Sequence, residues 1–318
     1  MSQPLILATP SKGRLKEQAE GWLADCGLPL KGGGSARGYL AQIAGLDEVQ
    51  VRLASAADIA TGLASGEVHL GVTGEDLLRE FGDLGAVGVV LLNPLGFGRA
   101  DLVVAAPQSW VDVETMADVD DVAHAYLART GRRLRVATKY LVQTRAFFAR
   151  HGIVDYRLTE SGGATEGAPA AGAAELVVDI TTSGATLTAN HLKPLSDGVI
   201  LRSQAHLAAS VRADWDAERF AYAARLLAIL EARARAKELV SLSWPPGQQA
   251  QAVTALSPWA EPWPEGAGCL APRSALFAAT AALAAAGVGP VNVTRPDYVF
   301  EAESPAARTL AAKLGLPA

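Results

Sequence analysis

Short apolar runs alternate with amphipathic segments along most of the chain. The opening run PLILATP predicts a strand, SKGR follows it as a turn, and LKEQAEGWLADCG repeats apolar side chains at helical spacing up to Gly27. Further strands are predicted at GYLAQIAGL, VQVRLAS, VHLGVTG, RRLRVATKY, YRLTE and ELVVDI, and further helices at SAADIATGLASGE, EDLLRE, LVQTRAFFARHG and GAPAAGAA. This regular alternation of strand and helix predicts an α/β fold with mostly parallel sheets.

The pattern changes at two places, and these changes divide the chain. GFGRADLVVAAP, from Gly96 to Pro107, carries a glycine-flanked arginine before a strand and predicts a crossing between two lobes. After about Arg212, a long helix, the strand LVSLSW, the loop SPWAEPWPEG, an alanine-rich helix and the strand PVNVTRP predict a small α+β module. We therefore predict a first lobe at residues 1–98 and 187–215, a second lobe at 99–186, and a C-terminal domain at 216–318.

Composition narrows the class of protein. Half of the 318 residues are apolar and 19% are charged, which is typical of a packed globular protein, and the net charge of -5 argues against a nucleic-acid binder. The N-terminus lacks a basic segment followed by a long apolar core, and no run of about 18 apolar residues occurs. We therefore expect no membrane span and a cytoplasmic location. The two cysteines and five histidines show no metal-binding spacing.

The stretch DITTSGATLTAN, residues 179–190, is rich in hydroxyl groups and follows a buried strand. Backbone N–H groups and hydroxyls at a turn into a helix form an anion site, and Gly184 permits a close backbone approach. The loop lacks the lysine of an NTPase phosphate loop. Asp179 would repel a phosphate but accept hydrogen bonds from sugar hydroxyls, an arrangement typical of sites for phosphoribosyl diphosphate (PRPP). The alternative is an ordinary Ser/Thr-rich helix cap.

A basic turn follows the first predicted strand. Lys12 and Arg14 lie between that strand and the first helix, and two cations at such a turn suit a polyphosphate. A solvated turn is the alternative. Arg37, within GGGSARGY, is a lone arginine after a glycine run, and taken by itself it is expected only to be exposed.

Four segments in order resemble one enzyme family. LATPSKGRL, LGVTGEDLL, RVATKY and EGAPAAGAAELVVDITTSGATLTANHLK resemble ATP phosphoribosyltransferase, the first enzyme of histidine biosynthesis, over about residues 5 to 210. The resemblance implies a two-lobed catalytic core like a type II periplasmic binding protein. It also implies that ATP and PRPP form phosphoribosyl-ATP and diphosphate, with Mg²⁺ carried by the diphosphate and not by protein side chains. The tail more loosely resembles the ferredoxin-like, histidine-binding regulatory domain of the family's long form.

The resemblance also implies roles for individual residues. Asp179 would bind the ribose hydroxyls, and Glu166 would lie near the active cleft. The 5′-phosphate of PRPP would be bound by Thr182, Ser183, Gly184, Ala185 and Thr186. The phosphate chains would face Lys12, Arg14 and Arg37, and the nucleotide side of the cleft would be lined by Gly74, Glu75 and Asp76. A family motif on the second lobe matches Thr138, Lys139 and Tyr140.

The sequence departs from the family pattern at two places. Ser55 stands where many members carry an arginine, three residues before Asp58, which weakens a phosphate-binding role for that helix. In the tail, SPWAEPW replaces a Pro-Thr strand segment and puts feedback inhibition by histidine in question. The length of the tail favours the self-sufficient long form, and a form with a separate regulatory subunit stays open. The family's hexamers or octamers lead us to expect a homo-oligomer.

Two other functions compete with this interpretation. A non-catalytic two-lobed solute-binding or ligand-sensing protein would share the fold, but it would not need the basic turn and the Asp179 loop together. A different phosphoribosyltransferase would usually place two adjacent acids before the phosphate loop, whereas Val178 precedes Asp179 here. A thermal shift with PRPP separates the first alternative, because a solute binder should ignore PRPP.

Overall fold

The computed structural model describes residues 3–32, 40–263 and 266–316, and the chain folds into two compact units. The larger unit contains Pro4–Gly21 and Leu30–Trp215. The smaller unit contains the chain from Asp216 onwards together with Trp22–Pro29. The C-terminal module therefore also includes an early segment of the chain, which the predicted boundaries did not anticipate.

Among the residues that the structure describes, the larger unit contains twelve strands and the helices that connect them. The strands are β1 (Leu5–Pro10), β2 (Leu30–Lys31), β3 (Leu40–Ile43), β4 (Leu46–Ala54), β5 (Leu70–Gly74), β6 (Val89–Pro94), β7 (Ala100–Pro107), β8 (Leu134–Thr138), β9 (Tyr156–Glu160), β10 (Leu176–Thr181), β11 (Leu192–Ser203) and β12 (Ala205–Ser210). The helices are α1 (Gly13–Asp25), α2 (Ala56–Ser65), α3 (Glu75–Arg79), α4 (Leu84–Val87), α5 (Met116–Thr130), α6 (Leu141–Arg150) and α7 (Ala185–Ala189).

The first sheet has the order β2-β3-β4-β1-β5-β12-β6. Strand β1 lies near its centre, parallel to both β4 and β5, while every other pair in the sheet is antiparallel. A central strand is covered on both faces, which explains why PLILATP is a continuous apolar run. The expectation of mostly parallel sheets is wrong, because hairpins and returning strands add antiparallel pairs at the edges.

The second sheet has the order β11-β7-β10-β8-β9. Strands β10, β8 and β9 are parallel, and β7 is antiparallel to β10 and β11. Strand β11 therefore belongs to this sheet, although residues from 187 onwards were assigned to the first lobe. Helix α7 is only five residues long, so the chain turns back along the sheet it has just left and recrosses only after Ser203. We call the first sheet with α1–α4 the first lobe, and the second sheet with α5–α7 the second lobe.

Other segments also differ from the predicted elements. Helix α5 was not predicted, and it begins with a capping box in which Thr115 and Asp118 satisfy each other's backbone N–H groups. GAPAAGAA is not an α-helix, because Thr165–Gly167 forms a short 3₁₀ turn and the following residues continue as turns. Pro169 and the positive φ of Gly172 explain the interruption.

The smaller unit has a three-stranded sheet in the order β14-β13-β15, with β13 antiparallel to both neighbours. Its elements are α8 (Ala217–Glu238), β13 (Leu239–Ser243), α9 (Gln249–Leu256), β14 (Gly268–Pro272), α10 (Leu276–Ala285), β15 (Asn292–Thr294) and α11 (Pro305–Leu314). In the described residues the order β13-α9-β14-α10-β15 is one strand short of the ferredoxin-like βαββαβ pattern. In the described part of the loop after α9, up to Trp263, no strand replaces the usual edge strand. SPWAEPW is therefore loop, with Trp259 packed against the core of this unit.

In the part of the chain that the structure describes, no helix is both long enough and apolar enough to cross a membrane.

Candidate functional site

A cleft of ≈ 750 Å³ opens within the larger unit, and both lobes contribute to its walls. Its lining comprises Arg14, Leu15, Gln18, Ala56, Gly74, Asp76, Leu77, Gly96, Phe97, Gly98, Arg99, Ala100, Lys139, Tyr140, Ile180 and Thr182. Strands β1, β5, β8 and β10 each end just before residues in this set. Ligands of α/β sheets bind at such carboxyl ends, so the fold itself concentrates the functional side chains here.

A smaller hollow of ≈ 400 Å³ adjoins this cleft. The two share Arg99, Ala100 and Thr182, so they form a continuous surface. The hollow adds Asp101, Thr181, Arg202, Ser203 and Gln204 to the lining. Asp101 on β7 and Arg202 and Ser203 on β11 lie where the chain crosses between lobes, whereas Thr181 is the last residue of β10.

The loop after β10 is held by its own side chains. The Thr181 hydroxyl accepts a hydrogen bond from the Gly184 N–H at 2.8 Å, and the Thr182 hydroxyl donates to the Arg99 carbonyl at 3.3 Å. Gly184 has a φ of 74°, which a residue with a Cβ rarely adopts. Ser183, Ala185 and Thr186 are exposed beside Thr182. The predicted phosphate loop is thus a preset turn with accessible hydroxyls.

Asp179 lies at the end of β10, half-buried and close to charges of both signs. Burial raises its pKa above the usual aspartate value, and the nearby charge of Glu166 acts in the same direction. A hydrogen bond from the Ile180 N–H to Asp179 Oδ1, at 2.8 Å, and the charge of Lys139 oppose this rise. The structure therefore places two predicted residues, Asp179 and Glu166, within electrostatic reach of each other and of a cation.

The predicted cations separate into three cases. Arg14 lines the cleft from the start of α1, whereas Lys12 is exposed and does not line it. Arg37 lies outside the described residues. Arg99 lines both hollows but was singled out only as a mark of the lobe crossing. Within the described ranges, the guanidinium groups of Arg14 and Arg99 form no ion pair with an acidic side chain.

The three residues Gly74, Glu75 and Asp76, at the end of β5 and the start of α3, also differ in whether they line the cleft. Gly74 and Asp76 line the cleft, but the Glu75 carboxylate binds Arg79 Nε at 2.6 Å and lies 3.8 Å from His206 Nδ1. Glu75 is not among the residues that line the cleft, because successive residues at a helix start point in different directions, and its place on the nucleotide side stays a prediction. Gly74 is required for steric reasons, since a Cβ there would overlap Asp76 Oδ1.

Asp76 is buried, and its carboxylate accepts two hydrogen bonds. The Tyr140 hydroxyl donates to Oδ2 at 2.7 Å, and the Ser203 hydroxyl donates to Oδ1 at 2.8 Å. Burial, together with the charge of Asp76, raises the pKa of Tyr140 well above its usual value, so the phenol stays protonated as the donor. Thr138 is fully buried and accepts from the Tyr140 N–H at 2.9 Å, which fixes this turn.

The residue at the departure from the family pattern, Ser55, has a local role. Its hydroxyl accepts from the Asp58 N–H at 3.1 Å and donates to the Asp58 carboxylate at 2.6 Å. Ser55 is therefore the N-cap of α2, a position that favours serine. The neighbouring Ala56 lines the cleft without a charge.

A two-lobed α/β core of this type, with the Asp76 carboxylate in its cleft and a hydroxyl-rich glycine loop that enters the cleft at Thr182, defines a candidate enzyme of phosphoribosyl transfer. A family model described as "HisG: ATP phosphoribosyltransferase" matches residues 55–231. An ATP phosphoribosyltransferase of Caulobacter vibrioides is 64% identical over 306 residues, covering 96% of each chain. One of Rhodopseudomonas palustris is 50% identical over 314 residues, covering 96% of this chain and 97% of the other.

Among solved structures, the ATP phosphoribosyl transferase (HisG:HisZ) complex from Thermotoga maritima matches with a TM-score of 0.55. That match has 25% identity and covers 71% of this chain and 96% of the other. The chain belongs to the ATP phosphoribosyltransferase family, the pentosyltransferases of the first step of histidine biosynthesis. A non-catalytic solute-binding protein is not favoured by these matches.

Proposed function

We propose that the cleft joins ATP to PRPP, with PRPP bound by the loop after β10 and ATP bound on the side of α3. The observation that carries this proposal is the pairing of Asp179 with the Gly184 turn at the end of β10. A carboxylate suits the vicinal hydroxyls of ribose, and the accessible hydroxyls and backbone N–H groups beside it suit a phosphate monoester. Thr182, Ser183, Ala185 and Thr186 supply that second group.

The nucleotide half of the cleft has a different character. Leu77, Phe97 and Ile180 contribute apolar surface to its walls, which suits the faces of a purine base. The carboxylate of Asp76 is an acceptor beside them, and it retains lone pairs because the two hydroxyls use only part of its capacity. We assign the adenine to this half. A Cβ at Gly74 would meet the Asp76 carboxylate, so glycine leaves this acceptor undisturbed.

Two polyanions must meet in this cleft, and cations must separate them. Arg14 and Arg99 are available for this purpose, because both line the cleft without an acidic partner in the described part of the chain. We propose that they bind the diphosphate of PRPP and the phosphates of ATP. Lys12 and Arg37 stay predictions for the same role.

The family requirement for a metal is consistent with a metal carried by the substrate. No group of three or more His, Cys, Asp or Glu side chains in the described ranges could hold an ion alone. Mg²⁺ keeps several waters and binds substrate phosphates, so the diphosphate of PRPP can carry it into the cleft without a protein-built cage. We propose Mg²⁺ as that metal. When bound with diphosphate, it neutralises the charge of the leaving group.

The residues need to do little proton transfer. A ring nitrogen of adenine attacks the anomeric carbon of PRPP, and diphosphate leaves with its bonding electrons. Positive charge develops on the ribose ring and negative charge on the leaving group. We expect Asp179 to stabilise the first by its proximity and Arg14 the second, as preset electrostatic groups.

We further propose that the chain is active without a separate regulatory subunit, as a homo-oligomer in the cytoplasm, where ATP and PRPP are available. The length of the matches supports self-sufficiency. The matched chain of the Thermotoga complex covers only 71% of this chain, whereas the curated relatives cover 96% including the smaller unit. The loop in place of the edge strand leads us to propose altered sensing of histidine by this unit.

The deciding experiment measures phosphoribosyl-ATP formation by the purified full-length chain with ATP, PRPP and Mg²⁺ while histidine is titrated. Activity of the chain alone is expected. Indifference to histidine supports altered sensing, and inhibition contradicts that part alone. Activity that requires an added subunit contradicts self-sufficiency. Absence of both activity and PRPP binding, measured by thermal shift, contradicts the assignment of the cleft.

A further inference from the structure

Three separate segments of the chain meet at Asp76. Asp76 belongs to the first lobe, Tyr140 to the second lobe, and Ser203 is the last residue of β11, where the chain recrosses. Besides its bond to the carboxylate, the Ser203 hydroxyl accepts from the Asp76 N–H at 3.0 Å. All three residues are buried. Hydrogen bonds to a carboxylate are charge-assisted and directional, so this contact depends on how the lobes are arranged.

A second contact between the lobes lies beside the first. The Glu80 carboxylate accepts from the Val142 N–H at 2.6 Å and from the Gln143 N–H at 3.3 Å, at the start of α6. The Gln143 side-chain amide donates to the Asp76 carbonyl oxygen at 2.8 Å. Both the backbone and the side chain of Asp76 are therefore bonded to the second lobe.

The turn that bears Tyr140 also faces the PRPP side of the cleft. The ammonium group of Lys139 lies 4.9 Å from the centroid of the Tyr140 ring. Its charge acts on Asp179, at the end of β10. One turn of the second lobe, Lys139–Tyr140, thus connects the carboxylate assigned to the nucleotide with the carboxylate assigned to ribose.

We propose that Tyr140 and Ser203 are positioning residues that couple the two substrate subsites. They hold Asp76 in place only when the lobes adopt the arrangement in which Tyr140 of the second lobe reaches Asp76 of the first, and PRPP, bound by Asp179 of the second lobe and by Arg14 of the first, favours the same arrangement. The proposal rests on the proposed function, because it takes PRPP at Asp179 and the nucleotide at Asp76. Binding of PRPP therefore raises the affinity for the nucleotide, and the nucleotide raises the affinity for PRPP by the same factor.

The test uses a nucleotide that binds but cannot react, 1-deaza-ATP, in which carbon replaces the attacking ring nitrogen. Calorimetry gives its Kd with and without PRPP and Mg²⁺ for the full-length chain. In the unmodified protein, PRPP is expected to lower this Kd about tenfold, within the usual range of coupling between sites. In Tyr140→Phe and Ser203→Ala, the factor is expected to fall below about twofold, while the Kd for PRPP alone is unchanged.

Two matched variants control for loss of a hydroxyl elsewhere in the second lobe. Tyr126→Phe removes a bond to Glu175, and Ser196→Ala removes one to the Glu114 carbonyl, and both should retain full coupling. If Tyr140→Phe or Ser203→Ala does not fold, Gln143→Ala carries the test, with a partial loss of coupling expected. The result that overturns the proposal is full coupling in all three variants at the contact.

Other outcomes are also decisive. Equal weakening of both ligands with unchanged coupling would show a structural role only and reject the proposal. An unmodified protein that binds both ligands without coupling rejects this proposal and leaves the proposed function intact. An unmodified protein that binds neither ligand rejects the proposed function, and this proposal with it.

Discussion

Asp179 is unfavourable for the fold in its ionised form, and the proposed ligand explains why it is there. Its carboxylate is half-buried and faces the charge of Glu166, and both effects raise its pKa. Ionised groups in such surroundings are frequent at functional sites, where ligands or metal ions provide the missing partners. Asp179 is therefore explained by ligand binding and not by a contribution to the stability of the fold.

Asp179→Asn is expected to weaken PRPP binding and to raise the melting temperature at pH 7 by about 1–2 °C, which corresponds to about 1 kcal/mol in a chain of this size. The amide oxygen can still accept from the Ile180 N–H. Because the folded-state pKa is raised, the ionised form destabilises the fold at neutral pH, and the difference should vanish as acid protonates the carboxyl group. Calorimetry across pH measures this, and unchanged Michaelis constants would reject the ribose assignment.

Arg14→Ala is expected to lower turnover more than the affinity for ATP. Removal of a preset charge at the leaving group typically costs about 3–4 kcal/mol of transition-state stabilisation. Steady-state kinetics with both substrates varied provides the measurement. Arg145→Ala, at an exposed position on α6 outside the cleft lining, is the control, and turnover equal to that control would reject the role of Arg14.

Gly184 tests the backbone of the phosphate loop. A Cβ at Gly184 meets no atom within 4 Å, so Gly184→Ala adds only the cost of φ 74°, about 1–2 kcal/mol. Gly152, with φ 73° and equally open space, is a matched position after α6. Both alanine variants should lose similar stability in thermal melts, but only Gly184→Ala should weaken PRPP binding. Equal PRPP affinity in the two variants would contradict the loop assignment.

At the scale of elements, strong local patterns predicted structure and weak ones did not. The apolar runs of β1, β5 and β10 predicted the strands that end at the cleft, because buried central strands need continuous apolar sequence. Helix α5 and strand β11 were not predicted, since their burial comes from neighbours distant in sequence. The contact of Asp76 with Tyr140 and Ser203 has no local signal for the same reason.

The second sheet contains an ion pair that should respond to pH, between Arg135 on the inner strand β8 and Glu175 just before β10. Burial raises the pKa of Glu175. Hydrogen bonds from Arg135, whose Nη2 lies 2.6 Å from Glu175 Oε1, and from the Tyr126 hydroxyl lower this pKa by more than burial raises it, so the net shift is downward. A lowered folded-state pKa stabilises the protein above the usual glutamate pKa, and this stability disappears as pH falls through the folded value.

Glu175→Gln is therefore expected to destabilise the protein at pH 7 by about 1 kcal/mol, a modest value because the arginine is partly exposed. The difference should shrink as the pH falls below the usual glutamate range. Denaturant titrations at several pH values measure it. A difference independent of pH would show that packing, and not charge, is responsible.

At the scale of the whole molecule, both free thiols report on the smaller unit. Cys26 and Cys269 are buried, and burial raises the pKa of each thiol to about 11. At pH 8 an aromatic disulfide reagent should label neither in the native chain, because the thiolate is scarce and inaccessible. In rising denaturant, both should become reactive in one step. Rapid labelling of one cysteine in the native protein would contradict their shared burial.

Helix α1 belongs to both units. It begins beside Arg14 at the cleft and ends at Asp25, which pairs with Arg233 at 2.9 Å in the smaller unit, and the carbonyl of Cys26 accepts from the Tyr298 hydroxyl at 3.0 Å. A gene truncated before Asp216 would leave Leu23, Cys26 and Leu28 without their cover. Deletion of the tail alone is therefore expected to destabilise the end of the first helix as well. The apolar residues from Trp22 to the end of α1 would need polar substitutions at the same time.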